Sequence, residues 1–263
     1  RYNSDEFKTE AYLFIPFDES YYNDMAEVIG RRYANWKNQE IDPRTKEPSE
    51  LARALMEYLG CECEYFPSMR DDDPIMSAYG YARRLGVREG YIPVLVKVDD
   101  ILWECLILNS DPDSDGEDDY AFDPEKVREY REHILSAPVK DGREVLESLV
   151  GQRRAEAEDD DLDWDGDVVG IMEGGEERDR LASYWNYETQ MTDPLILAKI
   201  PAEYPWEVFA WLPFGNWNEC PDTPDMMSVA KHWFESFGAV PAAITHDELE
   251  FVLPEPIPDD EAI

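Results

Sequence analysis

The sequence predicts an α+β protein with a mixed, mainly antiparallel sheet and flanking helices. Three observations support this prediction. Apolar runs of strand length occur in several parts of the chain, amphipathic helical patterns lie between them, and the two do not alternate as in a parallel α/β fold. The content of 43% hydrophobic and 13% aromatic residues is sufficient for a buried core, so the chain is not a disordered acidic tail.

The first third of the chain carries one strand pattern and three helical patterns. The apolar residues 11–16 predict an opening strand, and apolar side chains spaced by three and four over residues 22–33 predict a helix. A serine N-cap and a terminating glycine bracket a second helix over Glu50–Leu59. A run of three aspartates before a proline begins a third helix, which is expected to end at Gly86.

The rest of the chain predicts further strands and helices. Residues 91–98 and 101–108 predict a β-hairpin that turns at Asp99 and Asp100. Helices are then expected at residues 123–135, 144–157, 176–187 and 225–237. The last portion is rich in predicted strands, at residues 195–200, 206–212, 239–245 and 249–253.

The chain is strongly acidic, and the acidity is unevenly distributed. It has 61 acidic and 24 basic residues, which gives a net charge of −37 at pH 7. Residues 99–263 hold 43 of the acids and 11 of the bases. This balance excludes the basic surfaces that bind nucleic acid or anionic lipid, so neither partner is expected. An acidic surface attracts basic proteins instead, and we predict a basic protein as partner. The oligomeric state is left open.

The cysteines predict a reducing environment. Four cysteines in 263 residues are too few for a disulfide framework. Cys61 and Cys63 alternate with glutamates, so both sulfurs are expected on one face of a strand. The chain contains no apolar run of the roughly 20 residues that span a bilayer. Reduced thiols and a cytoplasmic location are therefore predicted.

Two segments have the Asp-x-Asp-x-Asp-Gly pattern of a calcium loop. The candidate metal ligands are Asp161, Asp163 and Asp165 in the better match, and Asp111, Asp113 and Asp115 in the weaker one. The position that should supply a bidentate glutamate is Phe122 in one and Met172 in the other, although an acid follows each. Aspartate and glycine also favour ordinary turns, so calcium is a candidate cofactor and no other is expected.

The densest polar motif lies near the C terminus. Cys220, His246 and Asp247 are the ingredients of a thiol nucleophile with its base, and Glu219 could act as an acid or base. The candidate binding residues of this motif are Trp217, Asn218 and Glu250. A cysteine before proline in an aromatic loop is also typical of a buried packing residue. The sequence leaves open whether these side chains meet in space.

This motif resembles a known family. Pro-Phe-Gly-Asn-Trp-Asn-Glu-Cys-Pro at residues 213–221, the helical Trp233 and Thr-His-Asp-Glu-Leu-Glu at residues 245–250 are similar to the core of a mostly bacterial family called domain of unknown function 4253. Asn216 stands where glycine is more usual in that family. The similarity covers residues 206–254 and implies a shared fold and site. It implies no reaction, because the family has no assigned activity.

The domain organisation and function follow from these patterns. Residues 89–263 are predicted to form a domain resembling that family, with an acidic helical insertion at about 110–190, and residues 1–88 to add an α/β segment to the same unit. The preferred function is a soluble, non-catalytic bacterial protein whose acidic face binds a basic protein, as immunity proteins bind cationic toxins. The alternatives are a hydrolase-like enzyme using Cys220 and His246, and a calcium-stabilised structural module.

Overall fold

The main sheet is mixed and mostly antiparallel. The computed structural model describes residues 40–114, 120–170, 180–217 and 220–257, so the strand predicted at 11–16 and the helix predicted at 22–33 lie outside it. The strands are β1 (Glu62–Phe66), β2 (Ile92–Lys97), β3 (Trp185–Asn186), β4 (Met191–Thr192), β5 (Leu195–Ile200), β6 (Val240–Ile244) and β7 (Leu249–Val252). Five of them form one sheet in the order β1-β5-β2-β6-β7, and β3 pairs with β4.

The pairing directions confirm the predicted fold class. In the main sheet β2 and β6 run parallel, while the three other neighbouring pairs are antiparallel. The described residues also form the helices α1 (Glu50–Leu59), α2 (Asp73–Glu89), α3 (Asp100–Ser110), α4 (Pro124–Ser136), α5 (Gly142–Asp159) and α6 (Thr223–Phe237). Within the described ranges, no helix is long and apolar enough to cross a membrane.

Part of the acidity serves to begin helices. The side chains of Asp99, Asp123, Asp141 and Asp222 accept hydrogen bonds from backbone amides in the first turns of α3, α4, α5 and α6. Ser49 does the same for α1, as predicted. These amides have no partner within a helix, so each cap stabilises its helix by about 1 kcal/mol.

The two faces of the sheet are buried in different clusters. Val94 and Val96 of β2 belong to the larger cluster, which packs against α1, α3 and α6, whereas Leu95 belongs to the smaller cluster against α2. Successive strand side chains point to opposite faces, and both faces are therefore covered. This arrangement explains why β2 and β5 are apolar almost throughout.

The predicted hairpin at residues 91–98 and 101–108 is wrong in its second half, because residues 101–108 belong to α3. Asp99 Oδ1 accepts hydrogen bonds from the backbone amides of Ile101 and Leu102 at 2.9 and 3.1 Å, which makes Asp99 a helix cap and not a hairpin turn. The exposed face of α3 carries the apolar side chains of Ile101 and Leu108 beside Glu104, so the sequence shows little amphipathic pattern. A short, continuously apolar run does not distinguish a buried helix from a strand.

The predicted strand at residues 206–212 is also wrong, because Pro205–Ala210 form a 3-10 helix. Glu207 Oε2 accepts hydrogen bonds from the amides of Glu203 and Tyr204 at 2.8 and 3.0 Å, and Pro205 occupies the first turn. These local interactions begin a helix rather than an extended strand.

The helix predicted at residues 176–187 is not observed over residues 180–187, the part of it that is described. The backbone amides of Ala182 and Ser183 donate to the carboxylate of Glu250 at 2.9–3.1 Å, and Trp185–Asn186 form β3. The amides are therefore satisfied by a distant side chain and not by a helical ladder. A smaller difference concerns α2, which continues past Gly86 to Glu89 before the left-handed Gly90 ends it.

Candidate functional site

The C-terminal candidates lie where the two parallel strands of the sheet end. Lys97 is the last residue of β2, and Thr245 and His246 directly follow the last residue of β6. Neighbouring parallel strands end at the same edge of a sheet, which is where open α/β sheets bind ligands. The strand pairing therefore brings Asp99 and His246 into contact across a sequence separation of 147 residues.

At this edge an imidazole lies between two carboxylates. His246 Nδ1 is 2.9 Å from Asp99 Oδ2, and His246 Nε2 is 3.6 Å from Asp247 Oδ2. Lys97 Nζ is 3.6 Å from Asp99 Oδ2 and 3.1 Å from Asp193 Oδ2. These five residues are called the His246 cluster below. A carboxylate that holds one imidazole nitrogen is the arrangement that orients a histidine base in many enzymes.

Within the His246 cluster, Asp99 and Lys97 are each stabilised in the charged form. Burial favours the neutral form of Asp99 and would raise the pKa of its carboxyl. The hydrogen bonds from the Leu102 amide and from His246, together with the positive charge of Lys97, outweigh this effect and lower that pKa below its ordinary value. Burial likewise opposes the charge of Lys97, yet the hydrogen bond to Asp193 and the neighbouring carboxylates raise its pKa. Asp99 therefore stays ionised and Lys97 stays protonated, as in a structural network of ion pairs.

Cys220 is packed into a tight loop. Gly215 has φ +91°, and a Cβ on it would lie 2.7 Å from Cys220 Sγ and 2.4 Å from the backbone oxygen of Pro221. Asn216, with φ +61°, donates its backbone amide to the same oxygen at 3.1 Å. Asparagine tolerates this left-handed conformation better than most residues do. Burial raises the pKa of the Cys220 thiol, which therefore stays protonated.

Asn109 of α3 fixes this loop. Its side-chain nitrogen donates to the backbone oxygens of Pro213 and Gly215 at 2.9 and 3.2 Å, and its side-chain oxygen accepts from the side-chain Nδ2 of Asn216 at 3.0 Å. Sequence reasoning missed this residue, because it placed the neighbouring residues in a strand. The available signal was a single asparagine at the end of an apolar run.

The structure therefore places some of the predicted catalytic residues in contact with one another and leaves others apart. His246 contacts Asp247 as well as Asp99, but within the described residues no hydrogen bond links Cys220 to His246. Glu219 and Asn218 lie outside the described residues. Trp217 is 37% exposed at the tip of the loop. Glu250 binds the amides of Ala182 and Ser183, so its carboxylate serves the fold of its own chain.

We expect Cys220 to behave as an ordinary, half-buried thiol that nothing activates. Its alkylation by iodoacetamide, followed by peptide mass spectrometry, should change less than about twofold in His246→Asn, because no contact couples the two groups. Asn109→Ala should raise the rate, because it frees the loop that covers the sulfur. A fall of about tenfold in His246→Asn would instead show that the imidazole activates the thiol.

In the weaker calcium loop a lysine ammonium contacts two of the predicted metal ligands. Lys126 Nζ is 3.1 Å from Asp111 Oδ1 and 2.8 Å from Asp113 Oδ2, and Asp111 Oδ2 accepts from the amide of Asp123 at 3.0 Å. Asp111 is only 2% exposed, so its charge needs such a partner. Asp115 lies outside the described residues.

In the better-matching loop the carboxylates do not gather around a common point. Asp161, Asp163 and Asp165 are exposed, and Asp163 Oδ2 accepts from the amide of Gly166 at 3.1 Å, capping a π-helical turn at Trp164–Val169. Among the described residues, the acids whose ligand atoms lie within 4.8 Å of one another are Asp71, Asp72 and Asp73. Arg180 already contacts Asp72 and Asp73. Calcium binding at either loop stays a prediction.

Comparison with known proteins agrees with the resemblance noted in the sequence. Residues 196–263 match the model of a family described as a domain of unknown function (DUF4253). This stretch contains Cys220, His246 and Asp247, whereas their structural partners Asp99 and Asn109 lie outside it. The comparisons with curated proteins and with solved structures gave no match. The family match therefore supports a shared C-terminal unit and names no reaction.

Proposed function

We propose that the protein is a non-catalytic interaction protein whose acidic face binds a basic protein partner. The observation that carries this proposal is a run of eight exposed acids, without a base, at residues 156–167. We call this set the acidic face. It consists of Glu156, Glu158, Asp159, Asp160, Asp161, Asp163, Asp165 and Asp167.

Little of the charge on the acidic face is neutralised by the chain itself. Within the described residues its one ion pair joins Arg153 Nη1 to Glu156 Oε2 at 3.2 Å. Asp163 and Asp167 accept hydrogen bonds from backbone amides of their own turn. The face also lies at the C-terminal end of α5, where the helix dipole adds partial negative charge. Such a concentration of like charge steers a basic protein toward it and speeds association.

The acidic face is held on ordered structure. Ala157 is buried, and its backbone oxygen accepts from the amide of Leu162 at 2.8 Å, which closes the end of α5. The guanidinium of Arg154 lies over the ring of Trp164 at 4.8 Å and ties the following turn to the helix. The carboxylates are therefore already fixed in position, and less conformational entropy is lost when a partner binds.

The state of the cysteines supports the proposed cellular location. The four cysteines are free, which suits the bacterial cytoplasm that we propose as the location of the protein.

The hydrolase-like alternative has one observation in its favour, the imidazole of His246 oriented by Asp99 at 2.9 Å. The raised pKa of the Cys220 thiol weighs against it. The alkylation experiment on Cys220 separates the two functions.

The proposal is tested by changing the charge of the face. The chain is used to capture binding proteins from an extract of its source cells, and the affinity of an identified basic partner is then measured by titration. The triple variant Asp159→Asn, Asp160→Asn, Asp161→Asn should weaken this affinity about tenfold at about 50 mM salt. This difference from the unmodified chain should shrink as salt rises to about 300 mM, because salt screens the charges that the variant lacks.

A matched control removes the same charge from other places. Glu57, Glu89 and Glu129 are exposed acids on α1, α2 and α4. Their triple replacement by glutamine should change the affinity less than about twofold, because the interaction of separated surface charges is screened. Equal losses in both triples, or capture of acidic partners only, would contradict a localised acidic binding face.

A further inference from the structure

The first two cysteines of the chain lie together at the beginning of an edge strand. Cys63 is in β1, which pairs only with β5 in the described sheet, and Cys61 directly precedes that strand. Both side chains are half-buried and pack against the same core cluster, which confirms that their sulfurs lie on one face. The acidic face and the His246 cluster do not use either thiol.

A guanidinium is fixed beside this pair. Arg131 of α4 donates from Nη2 to the backbone oxygen of Tyr58 at 2.5 Å and from Nη1 to that of Leu59 at 3.4 Å, the last carbonyls of α1. Its planar group also lies over the rings of Tyr58 and Trp211, with centroid distances of 5.2 and 5.6 Å. A Cβ on Gly60, the residue before Cys61, would lie 3.7 Å from Arg131 Nη1, so the guanidinium lies beside the backbone that leads into Cys61.

The two thiols differ in how readily they ionise. A hydrogen bond from the Cys63 thiol lowers the pKa of Cys61, and the charge of Arg131 and the backbone amide of Lys199 lower it further against the effect of burial. The same hydrogen bond and burial raise the pKa of Cys63. Burial also raises the pKa of Cys105 and of Cys220. A half-exposed thiolate beside a cation is the environment of a reactive cysteine.

We infer that Cys61 and Cys63 form a thiol–disulfide exchange site for small disulfides of the glutathione type. The Cys61 thiolate attacks one sulfur of oxidised glutathione, the glutathione S–S bond breaks, and one glutathione leaves as a thiolate that takes up a proton. Cys63 then loses its proton to solvent and attacks the sulfur of Cys61 in the mixed disulfide, which releases the second glutathione. Two electrons pass from the cysteine pair to the small disulfide, and one intramolecular disulfide forms.

The spacing of the two residues makes this disulfide reversible. Residues two apart on a strand have Cα atoms about 6.6 Å apart, near the upper end of the range that a disulfide bridges. Disulfides with such extended geometry are more easily reduced than the relaxed ones of secreted proteins. The site therefore cycles between dithiol and disulfide and does not form a permanent cross-link. This inference is independent of the acidic face.

The test treats the whole chain with oxidised glutathione at neutral pH and measures intact mass and peptide masses. The unmodified sequence should lose two hydrogens and yield a linked Cys61–Cys63 peptide. Cys63→Ser should stop at one glutathione on Cys61, and Cys61→Ser should form neither product. Cys220→Ser, the matched control, should behave as the unmodified sequence. Preferential modification of Cys105 or Cys220, or exchange that persists in Cys61→Ser, would overturn the assignment.

The contribution of the guanidinium is tested in the Cys63→Ser background. The rate at which Cys61 reacts with oxidised glutathione at neutral pH should fall about tenfold in Arg131→Met and largely recover in Arg131→Lys, which restores the charge. The pH at which the rate is half-maximal should rise in Arg131→Met. A purely structural role for Arg131 would leave this midpoint unmoved, and that result would contradict the proposed activation of Cys61.

Discussion

Gly142→Ala is expected to destabilise the fold by about 3 kcal/mol, because the added methyl group has no room against α6. A Cβ at this position would lie 2.1 Å from the backbone oxygen of Ser228 and 2.6 Å from Cβ of His232. The first of these atoms belongs to the helical backbone, which cannot turn aside as a flexible side chain could. The two helices would have to separate, and α5 carries the acidic face at its other end.

The same helix offers a matched control for Gly142→Ala. Gly151 is exposed, and a Cβ there would meet nothing within 4 Å. Gly151→Ala should therefore stabilise the protein by about 0.5–1 kcal/mol, since alanine loses less backbone entropy than glycine on entering a helix. Urea unfolding followed by circular dichroism measures both changes. Shifts of the same sign in the two variants would contradict the close contact between α5 and α6.

The elements predicted well are those with strong local signals. Ser49 caps α1, as the sequence predicts, and Asp123 caps α4 at the expected start of that helix. An oxygen-bearing side chain before an amphipathic run satisfies the same free amides in any context. The failures at residues 101–108 and 206–212 have a common cause. Apolar residues occupy every side of both segments, since residues 206–212 are mostly buried and the exposed face of α3 carries Ile101 and Leu108. The apolar residues therefore show no period that separates helix from strand.

The candidate site was harder to predict, because its contacts are distant along the chain. The sequence groups His246 with Cys220, which belong to the same motif, whereas the structure pairs His246 with Asp99. That pairing depends on β2 and β6 lying side by side and parallel, a feature of topology that no local spacing contains. Asn109 was missed for the same reason, since its partners are more than 100 residues away.

The acidic side chains of this protein have several different roles, which the net charge alone does not distinguish. Asp99, Asp123 and Asp141 satisfy helix amides, and Asp111 is buried against Lys126. These carboxylates serve the fold and are unavailable to a partner. The acids at residues 156–167 are exposed and almost unpaired within the described chain, so they remain for an external cation or protein. The proposed binding surface is therefore limited to the acids at the C-terminal end of α5 and does not extend over the whole acidic region.

Asp99→Ala is expected to destabilise the protein by about 2.5–4 kcal/mol at neutral pH. The change removes the hydrogen bonds to the amides of Ile101 and Leu102, a cap that contributes about 1 kcal/mol. It also removes the 2.9 Å contact with His246, and hydrogen bonds to charged groups contribute about 1.5–3 kcal/mol. Asp99→Asn, which keeps a good capping oxygen but no charge, should lose only the second contribution.

The pH dependence of this loss follows from the lowered pKa of Asp99. A carboxyl with a lowered pKa in the folded state stabilises the protein above its unfolded pKa, about 3.9, and the contribution disappears as pH falls through the folded value. The free-energy difference between the unmodified chain and Asp99→Asn should therefore shrink as the pH falls below about 4. Urea unfolding at several pH values measures it. A difference in the free energy of unfolding that is as large at about pH 3 as at neutral pH would contradict this prediction. It would show that the charge of the Asp99 carboxylate does not cause the stabilisation.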